Sequence, residues 1–247
     1  MNEVKDSVKH PSKESSSKLP IHIAIVMDGN GRWAKKHGKN RIFGHKKGVE
    51  SVRKIVKRAS DLGIKYITLF SFSTENWSRP TREVNALMNL FTRLLDKEVS
   101  ELYKNNVKIM FTGRRTKLSR ALLEKMENAE QVTTHNTGLT LMLAFDYGGR
   151  QEIIDACIQI CRKLKNQQLE FLDTNEFSKH LYLPNVPDPD LMIRTSGEYR
   201  FSNFLLWEAA YSELYFTEVL WPDFDEHEFD KALKNYSERE RRFGKVK

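Results

Sequence analysis

Short runs that stay apolar at successive positions constrain this chain more than any other feature. HIAIVM (22–27), YITLFSF (66–72), VKIMFT (107–112), LTLMLAF (139–145) and DLMIRT (190–195) read as strands, with ELYFTEV (213–219) as a sixth. A strand with one face in water alternates apolar and polar residues, whereas a strand covered on both faces need not. Helical patterns separate the runs. Val49, Val52, Ile55, Val56 and Ala59 recur at helical spacing before Gly63, and Ile153, Ile154, Cys157, Ile158 and Cys161 do likewise. The longest predicted helix spans about Arg82 to Lys104, with a wide stripe of Val84, Leu87, Met88, Phe91, Leu94, Leu95 and Leu102. This alternation predicts one open α/β domain, its mostly parallel sheet flanked by helices and its ligands at the C-terminal strand ends.

No linker or repeat divides residues 21–247. Residues 1–20 hold four Lys, three acids and few large apolar side chains, and read as a disordered tail. No apolar stretch reaches the roughly 18 residues needed to cross a bilayer. The N-terminus lacks the apolar core of a signal peptide, so a cytoplasmic protein is expected. The only cysteines, Cys157 and Cys161, lie a helical turn apart and read as free thiols in or near a core. The 41 Lys and Arg outnumber the 33 Asp and Glu, for a net charge of +8. Such an excess suits nucleic acid, an anionic membrane surface or a phosphorylated small molecule.

The placement of the cations narrows this choice. In IVMDGNGRWAKKHG (25–38), Asp28 follows a predicted strand, where open α/β folds bind ligands. Gly29-Asn30-Gly31 allows a sharp turn close to an anion, and a helix starting there would aim free N–H groups at it. Arg32, Lys35, Lys36, Lys39 and Arg41 add positive charge. A lone carboxylate facing an anion makes sense if it holds Mg²⁺, which takes one or two carboxylates plus phosphate oxygens and water. The plain alternative is a helix-capping aspartate in a glycine-rich turn. Neither G-x-x-x-x-G-K-[ST] nor G-x-G-x-x-G occurs.

SFSTENWSRP (71–80) crowds Ser73, Glu75, Asn76, Trp77 and Arg79 into one strand-end loop. Asn76 can orient a substrate but is no base, since an amide holds no proton near neutral pH. IRTSGEYRFSNF (193–204) follows another predicted strand, and its Arg194, Arg200 and Ser202 are suited to gripping a diphosphate. Glu213 is a candidate second metal carboxylate. The acids of WPDFDE (221–226) read as a helix start. The histidines show no zinc-ligand spacing.

Together and in this order, HIAIVMDGNGRWA, Gly44-His45, FSTENWSRP, YGGR (147–150), IRTSGEYRFSNFLLW and ELYFTEVLWPDF closely resemble the cis-prenyltransferases, in particular the bacterial undecaprenyl diphosphate synthases. The resemblance covers about residues 20–244 and makes 21–247 the catalytic domain. It implies a six-stranded sheet, a homodimer and a hydrophobic tunnel lined by the 84–102 helix. The implied reaction is Mg²⁺-dependent condensation of isopentenyl diphosphate onto an allylic diphosphate such as farnesyl diphosphate, each new double bond being cis. The undecaprenyl product would be a lipid-carrier precursor for cell-wall synthesis. By motif, Asp28 would be the metal-binding catalytic acid and Asn76 would assist proton removal. Gly29, Asn30, Gly31, Arg32, Trp33, Arg41 and His45 would hold the allylic diphosphate, with Ser73, Thr74, Glu75, Trp77 and Arg79 lining the same site. Arg194, Arg200, Phe201 and Ser202 would take isopentenyl diphosphate, and Glu213 would complete the metal site.

The Arg241-Arg242-Phe243-Gly244 ending resembles an element that reaches the partner subunit's site in this family, against a frayed basic terminus as the alternative. Where the family commonly has Asn before Tyr-Gly-Gly-Arg, this chain has Asp146. A carboxylate there would repel a diphosphate unless Arg150 or another cation compensates. Ser71 is small and leaves a tunnel open. Rival readings are a cis-prenyltransferase of other product length and a noncatalytic partner subunit, which tends to lose the first aspartate and the Asn-Trp loop kept here. A trans-prenyltransferase lacks its D-D-x-x-D, and no nucleic-acid-binding motif appears. Without a membrane span, contact with the inner face of the cell membrane for product release would be peripheral.

Overall fold

The computed structural model describes residues 19–240. Most of the predicted tail and the basic Arg241–Gly244 element lie outside the described residues. Six strands, β1 (His22–Val26), β2 (Tyr66–Ser73), β3 (Lys108–Thr112), β4 (Thr140–Tyr147), β5 (Leu191–Arg194) and β6 (Glu213–Phe216), form one sheet. Its order is β3-β4-β2-β1-β5-β6, and every pairing is parallel. Each predicted run holds one strand, with ends agreeing to within three residues.

Uniformly apolar strands follow from burial on both faces. Successive side chains of a strand point to opposite sides. Ile23 and Ile25 join the larger core with Ile55, Ile67, Leu69 and Trp221, while Ala24 and Val26 pack with Ala144, Tyr147 and Phe204 on the other face. With β1 between β2 and β5, the chain leaves it in opposite directions, which opens a crevice beyond the strand ends.

The helices are α1 (Asn30–Lys36), α2 (Arg41–Asp61), α3 (Thr81–Lys104), α4 (Arg120–Val132), α5 (Gly149–Lys165), α6 (Thr174–Ser178) and α7 (Glu226–Ser237). The Asn40 side chain caps α2 by accepting from Phe43 N at 2.9 Å, and the Asp225 side chain caps α7, where the acids of 221–226 were expected to begin a helix. Of the α3 stripe, Val84 and Leu95 are buried, whereas Leu87, Met88, Phe91 and Leu102 pack only partly against the core.

The stripe of α5 is a correction to the sequence reading. Ile154 and Ile158 are 51% and 43% exposed, and Cys157 and Cys161 are exposed thiols, not core ones. Ala156 and Ile160 face the core instead. Helical periodicity marks which residues share a face, but not what covers that face. Among the described residues no helix is long and apolar enough to cross a membrane.

Candidate active site

The C-terminal ends of β1 and β2 meet at the mouth of a cavity of about 710 Å³ lined by the sheet, α2 and α3. Its mouth carries Asp28, Asn30, His45, Asn76 and Arg79, and its depth is lined by residues such as Leu94, Leu95, Val99, Leu102, Ile109 and Leu141. One end is therefore polar and the other mostly apolar, its one charged pair, Arg53 and Glu98, satisfied by each other.

Asp28 reaches the mouth because the chain turns at Gly29, whose φ of 107° lies in the left-handed region. A Cβ there would also meet Ser196 Cβ at 3.0 Å. Asp28 Oδ1 accepts from Gly29 N at 2.7 Å, and Oδ2 accepts from Arg194 Nη2 at 2.9 Å. Arg194, with only 4% of its side chain exposed, also donates from Nη1 to Arg200 O and Ser202 Oγ, both at 2.6 Å. Its Nε is buried without a partner. Arg32 donates to Ser196 O at 2.9 Å and pairs with Glu198 at 3.1 Å, and Glu198 also holds Arg200. The two cationic grips expected from sequence thus form one continuous network. With only seven residues, α1 adds little dipole, so side chains carry the attraction for anions.

Across the mouth, Glu83 pairs with both Arg79 (3.1 Å) and Arg41 (3.5 Å). His45 sits beside them with its pKa lowered to about 4, by burial first and then by Arg79 and Arg41, against Glu83. It is neutral at pH 7, and its Nε2 is buried without a partner. The 73–79 loop closes on itself: Asn76 Oδ1 accepts from Ser73 N at 3.1 Å, while the Ser73 side chain accepts from the Asn76 backbone. The Asn76 amide nitrogen is left as a donor at the mouth. Glu75 accepts from Asn203 Nδ2 at 2.8 Å.

Trp77 and Asp146 behave differently from the sequence reading. Trp77 Nε1 donates to Asp146 Oδ1 at 2.6 Å, behind the cavity wall. Burial pushes the Asp146 carboxyl up, opposed by the Trp77 hydrogen bond and by Lys117 and Arg114. Neither residue lines the cavity, and the cations near Asp146 do not include Arg150. Asp146 supports Trp77 and does not face a diphosphate across the mouth.

Four further residues expected at the site stand apart from the cavity within this chain. Trp33 is buried, donates from Nε1 to Asp223 at 2.7 Å and stacks on His37, so it braces α1 without touching the cavity. Phe201 packs in the smaller core. Glu213 pairs with Leu191 at the start of the parallel β5–β6 ladder, the end opposite Asp28. It accepts from Arg239 Nη1 at 2.8 Å. Register places Glu213 level with Ile23, so about 15 Å of strand separates it from Asp28 within one chain. Thr74 stands beside Gly148 and off the cavity.

Sequence reasoning missed Glu198, which gathers the two arginines, and Glu83, whose place four residues after Arg79 was a usable signal. It also missed the carboxyl pair of Glu152, which is buried, and Glu208, which is half-buried. Tyr147 Oη donates to Glu152, and Glu208 has its pKa pushed up to about 8, by burial first and Glu152 next.

A prenyltransferase family model, described as "Putative undecaprenyl diphosphate synthase", matches residues 26–244. The chain is a cis-prenyltransferase. The ditrans,polycis-undecaprenyl-diphosphate synthase ((2E,6E)-farnesyl-diphosphate specific) of Haemophilus influenzae is 52% identical over 92% of this enzyme and 95% of its own length. The Escherichia coli K12 protein of the same name is 49% identical over 93% of each. Among solved structures, lavandulyl diphosphate synthase from Lavandula x intermedia, bound to dimethylallyl diphosphate, overlays with a TM-score of 0.89 at 36% identity. A probable undecaprenyl diphosphate synthase from Campylobacter jejuni overlays at 0.77, also at 36%. In both cases 92% of this enzyme and 99% of the neighbour are covered. The enzyme is thus a prenyl-chain-elongating transferase, with the polar mouth and apolar chamber such chemistry requires.

Proposed function

We propose that the enzyme condenses isopentenyl diphosphate repeatedly onto farnesyl diphosphate, with Mg²⁺, to give undecaprenyl diphosphate, a lipid-carrier precursor for cell-wall synthesis. The observation that carries this reading is Arg194. One buried guanidinium holds Asp28 on one side and Ser202 on the other, at the head of an apolar cavity. Two diphosphates bound there would share a wall and point their prenyl groups at each other.

In each cycle the C1–O bond of the allylic diphosphate breaks, and the electron pair leaves with the diphosphate. The C3=C4 π bond of isopentenyl diphosphate attacks C1, the new C–C bond forms, and a proton leaves C2 to create the cis double bond. Asn30, Arg32, Arg41 and Arg79, with the backbone at Gly29 and Gly31, hold the allylic diphosphate. They meet charge where it develops on the leaving group. Arg194, Arg200 and Ser202 hold isopentenyl diphosphate, while Ser73, Thr74, Glu75 and Trp77 keep the Asn76 loop in shape. Asn76 donates its amide to a diphosphate oxygen. A diphosphate oxygen is a better proton acceptor than His45, whose pKa of about 4 makes it a weak base at pH 7.

The donor set fits Mg²⁺. Asp28 supplies a carboxylate and Asn30 Oδ1 is a buried oxygen without a partner; among the described residues no three acidic, His or Cys side chains are placed to hold a metal ion by themselves. Substrate oxygens and water would complete such a shell. Mg²⁺, when bound, screens the negative charge growing on the leaving diphosphate.

Each five-carbon unit buried in the chamber is stabilised by about 4 kcal/mol. A long product therefore leaves only for another apolar medium, which supports peripheral contact with the membrane. The assembly proposed is a homodimer, supported by the exposed apolar face of α5. The test is an assay with farnesyl diphosphate, labelled isopentenyl diphosphate, Mg²⁺ and detergent, read by mass spectrometry. A ladder ending at the undecaprenyl product and abolished by EDTA is the expected result. A different end point reassigns the product. Absence of elongation by folded protein points to a noncatalytic subunit.

A further inference from the structure

The amino end of α5 needs partners for its first N–H groups, and its own N-cap, Gly148, has no side chain to provide one. The partner comes from elsewhere in the chain. Asn203 accepts from Gly149 N through its backbone oxygen at 2.7 Å and from Arg150 N through Oδ1 at 2.8 Å. Its Nδ2 donates to Glu75 Oε1 at 2.8 Å. One residue thus satisfies a helix end, bonds to the 73–79 loop and follows directly on Ser202, which Arg194 holds.

The fit is close. A Cβ at Gly148 would come within 2.8 Å of Asn203 Nδ2 and 2.6 Å of Thr74 Oγ1, so any larger residue there would push these two side chains out of place. Ser202, Asn203 and Leu205 all take positive φ, of 51°, 65° and 44°. A loop with that many left-handed residues holds its shape only where its surroundings impose it. Asn tolerates this region better than most residues. Burial works to raise the Glu75 pKa, but hydrogen bonds, led by that from Asn203, bring it below the ordinary value.

We infer that Asn203 is a positioning residue that locks the Arg200–Ser202 loop to the 73–79 loop across the end of α5, setting the spacing between the two diphosphate sites. The inference rests on the condensation proposed above. Bond formation needs the two prenyl carbons held at near-attack distance, and a misplacement of about 1 Å costs on the order of 10²-fold in rate. Asn203 itself touches no reacting atom.

The test uses the full-length enzyme with N203A, N203D, E75Q and the double variant N203D/E75Q. N203D keeps an acceptor for Arg150 N but sets a carboxylate against that of Glu75, and adding E75Q returns an N–H donor to the pair. The expected result is a kcat lower by about 10²-fold in N203A and N203D. KM for the allylic diphosphate should stay within about twofold, while that for isopentenyl diphosphate rises. The double variant should recover about tenfold in kcat over N203D, a coupling typical of residues in direct contact. A double variant no faster than N203D, or N203A with wild-type kcat, overturns the inference. A purely structural role would lower the melting temperature of N203D and leave kcat per folded molecule intact. If the wild-type chain does not elongate, the proposed function fails first. Calorimetric binding of isopentenyl diphosphate then decides on Asn203, with affinity lost in N203D and regained in the double variant expected.

Discussion

The two ends of the cavity are built on different principles. At the mouth, many polar side chains are held by a residue from another segment: Asp28 by Arg194, Arg41 by Glu83, Glu75 by Asn203. In the chamber, Leu87, Leu94, Val99 and their neighbours offer apolar surface, interrupted by the Arg53–Glu98 ion pair. The mouth needs position and the chamber needs volume. Hydrogen bonds weaken steeply within an ångström, whereas hydrophobic contact survives a change of shape when total volume is kept. Substitutions should therefore act on rate at one end and on product length at the other.

The sharpest break would come at Asp28. Asp28→Ala is expected to lower kcat by roughly 10³-fold, the scale of removing one transition-state stabilising group. It also strips the buried Arg194 of its anion, at a cost of about 1–3 kcal/mol in stability. Steady-state kinetics beside thermal unfolding separates the two effects, and near-wild-type kcat would remove the mouth from the chemistry. In the chamber, Leu94→Trp should leave the first condensation within about tenfold and shorten the product ladder in mass spectrometry, with overpacking costing about 1–3 kcal/mol. If kcat for the first step collapsed and product length held, the division of labour would be wrong.

Asp146 tests whether a support behind the wall matters less than a group at the mouth. Asp146→Ala leaves the Trp77 indole N–H unpaired and should cost about 1–3 kcal/mol by chemical denaturation. Asp146→Asn keeps the acceptor and should restore both stability and turnover. The smallest effect is electrostatic. Glu208 has a folded pKa near 8 against an ordinary 4.5, so its contribution is present at low pH and fades as pH rises toward 8. His22 and His45, lowered to about 4, act in the other direction: stability falls as pH drops from 6.5 toward 4. Glu208→Gln should flatten the decline in melting temperature between pH 6.5 and 8, worth on the order of 1–2 kcal/mol. The acidic limb should be unchanged.

The strands were legible because burial on both faces, complete in β1 and β5 and partial toward the sheet edges, leaves an apolar imprint along each run. Asp28, Asn76 and Arg194 were legible because strand ends are where an open α/β sheet gathers polar groups. Three kinds of information were not. Glu213 sits at a strand's start, and only the register of β5 and β6 shows that this is the far end from Asp28. The stripe of α5 has clear helical spacing yet faces outward. Trp33 and Phe201 lie inside functional motifs and serve packing, which motif position cannot distinguish.

By itself the sequence determined the fold class, the elements and the chemical character of the cavity's two ends, because these follow from local periodicity and from residue types near strand ends. The tertiary structure alone decided which groups meet. Asn203 and Glu75 are 128 residues apart, and Asp28 and Arg194 are 166 apart. Such pairs depend on strand order and register, which come from the packing of the whole chain and not from any one segment of it.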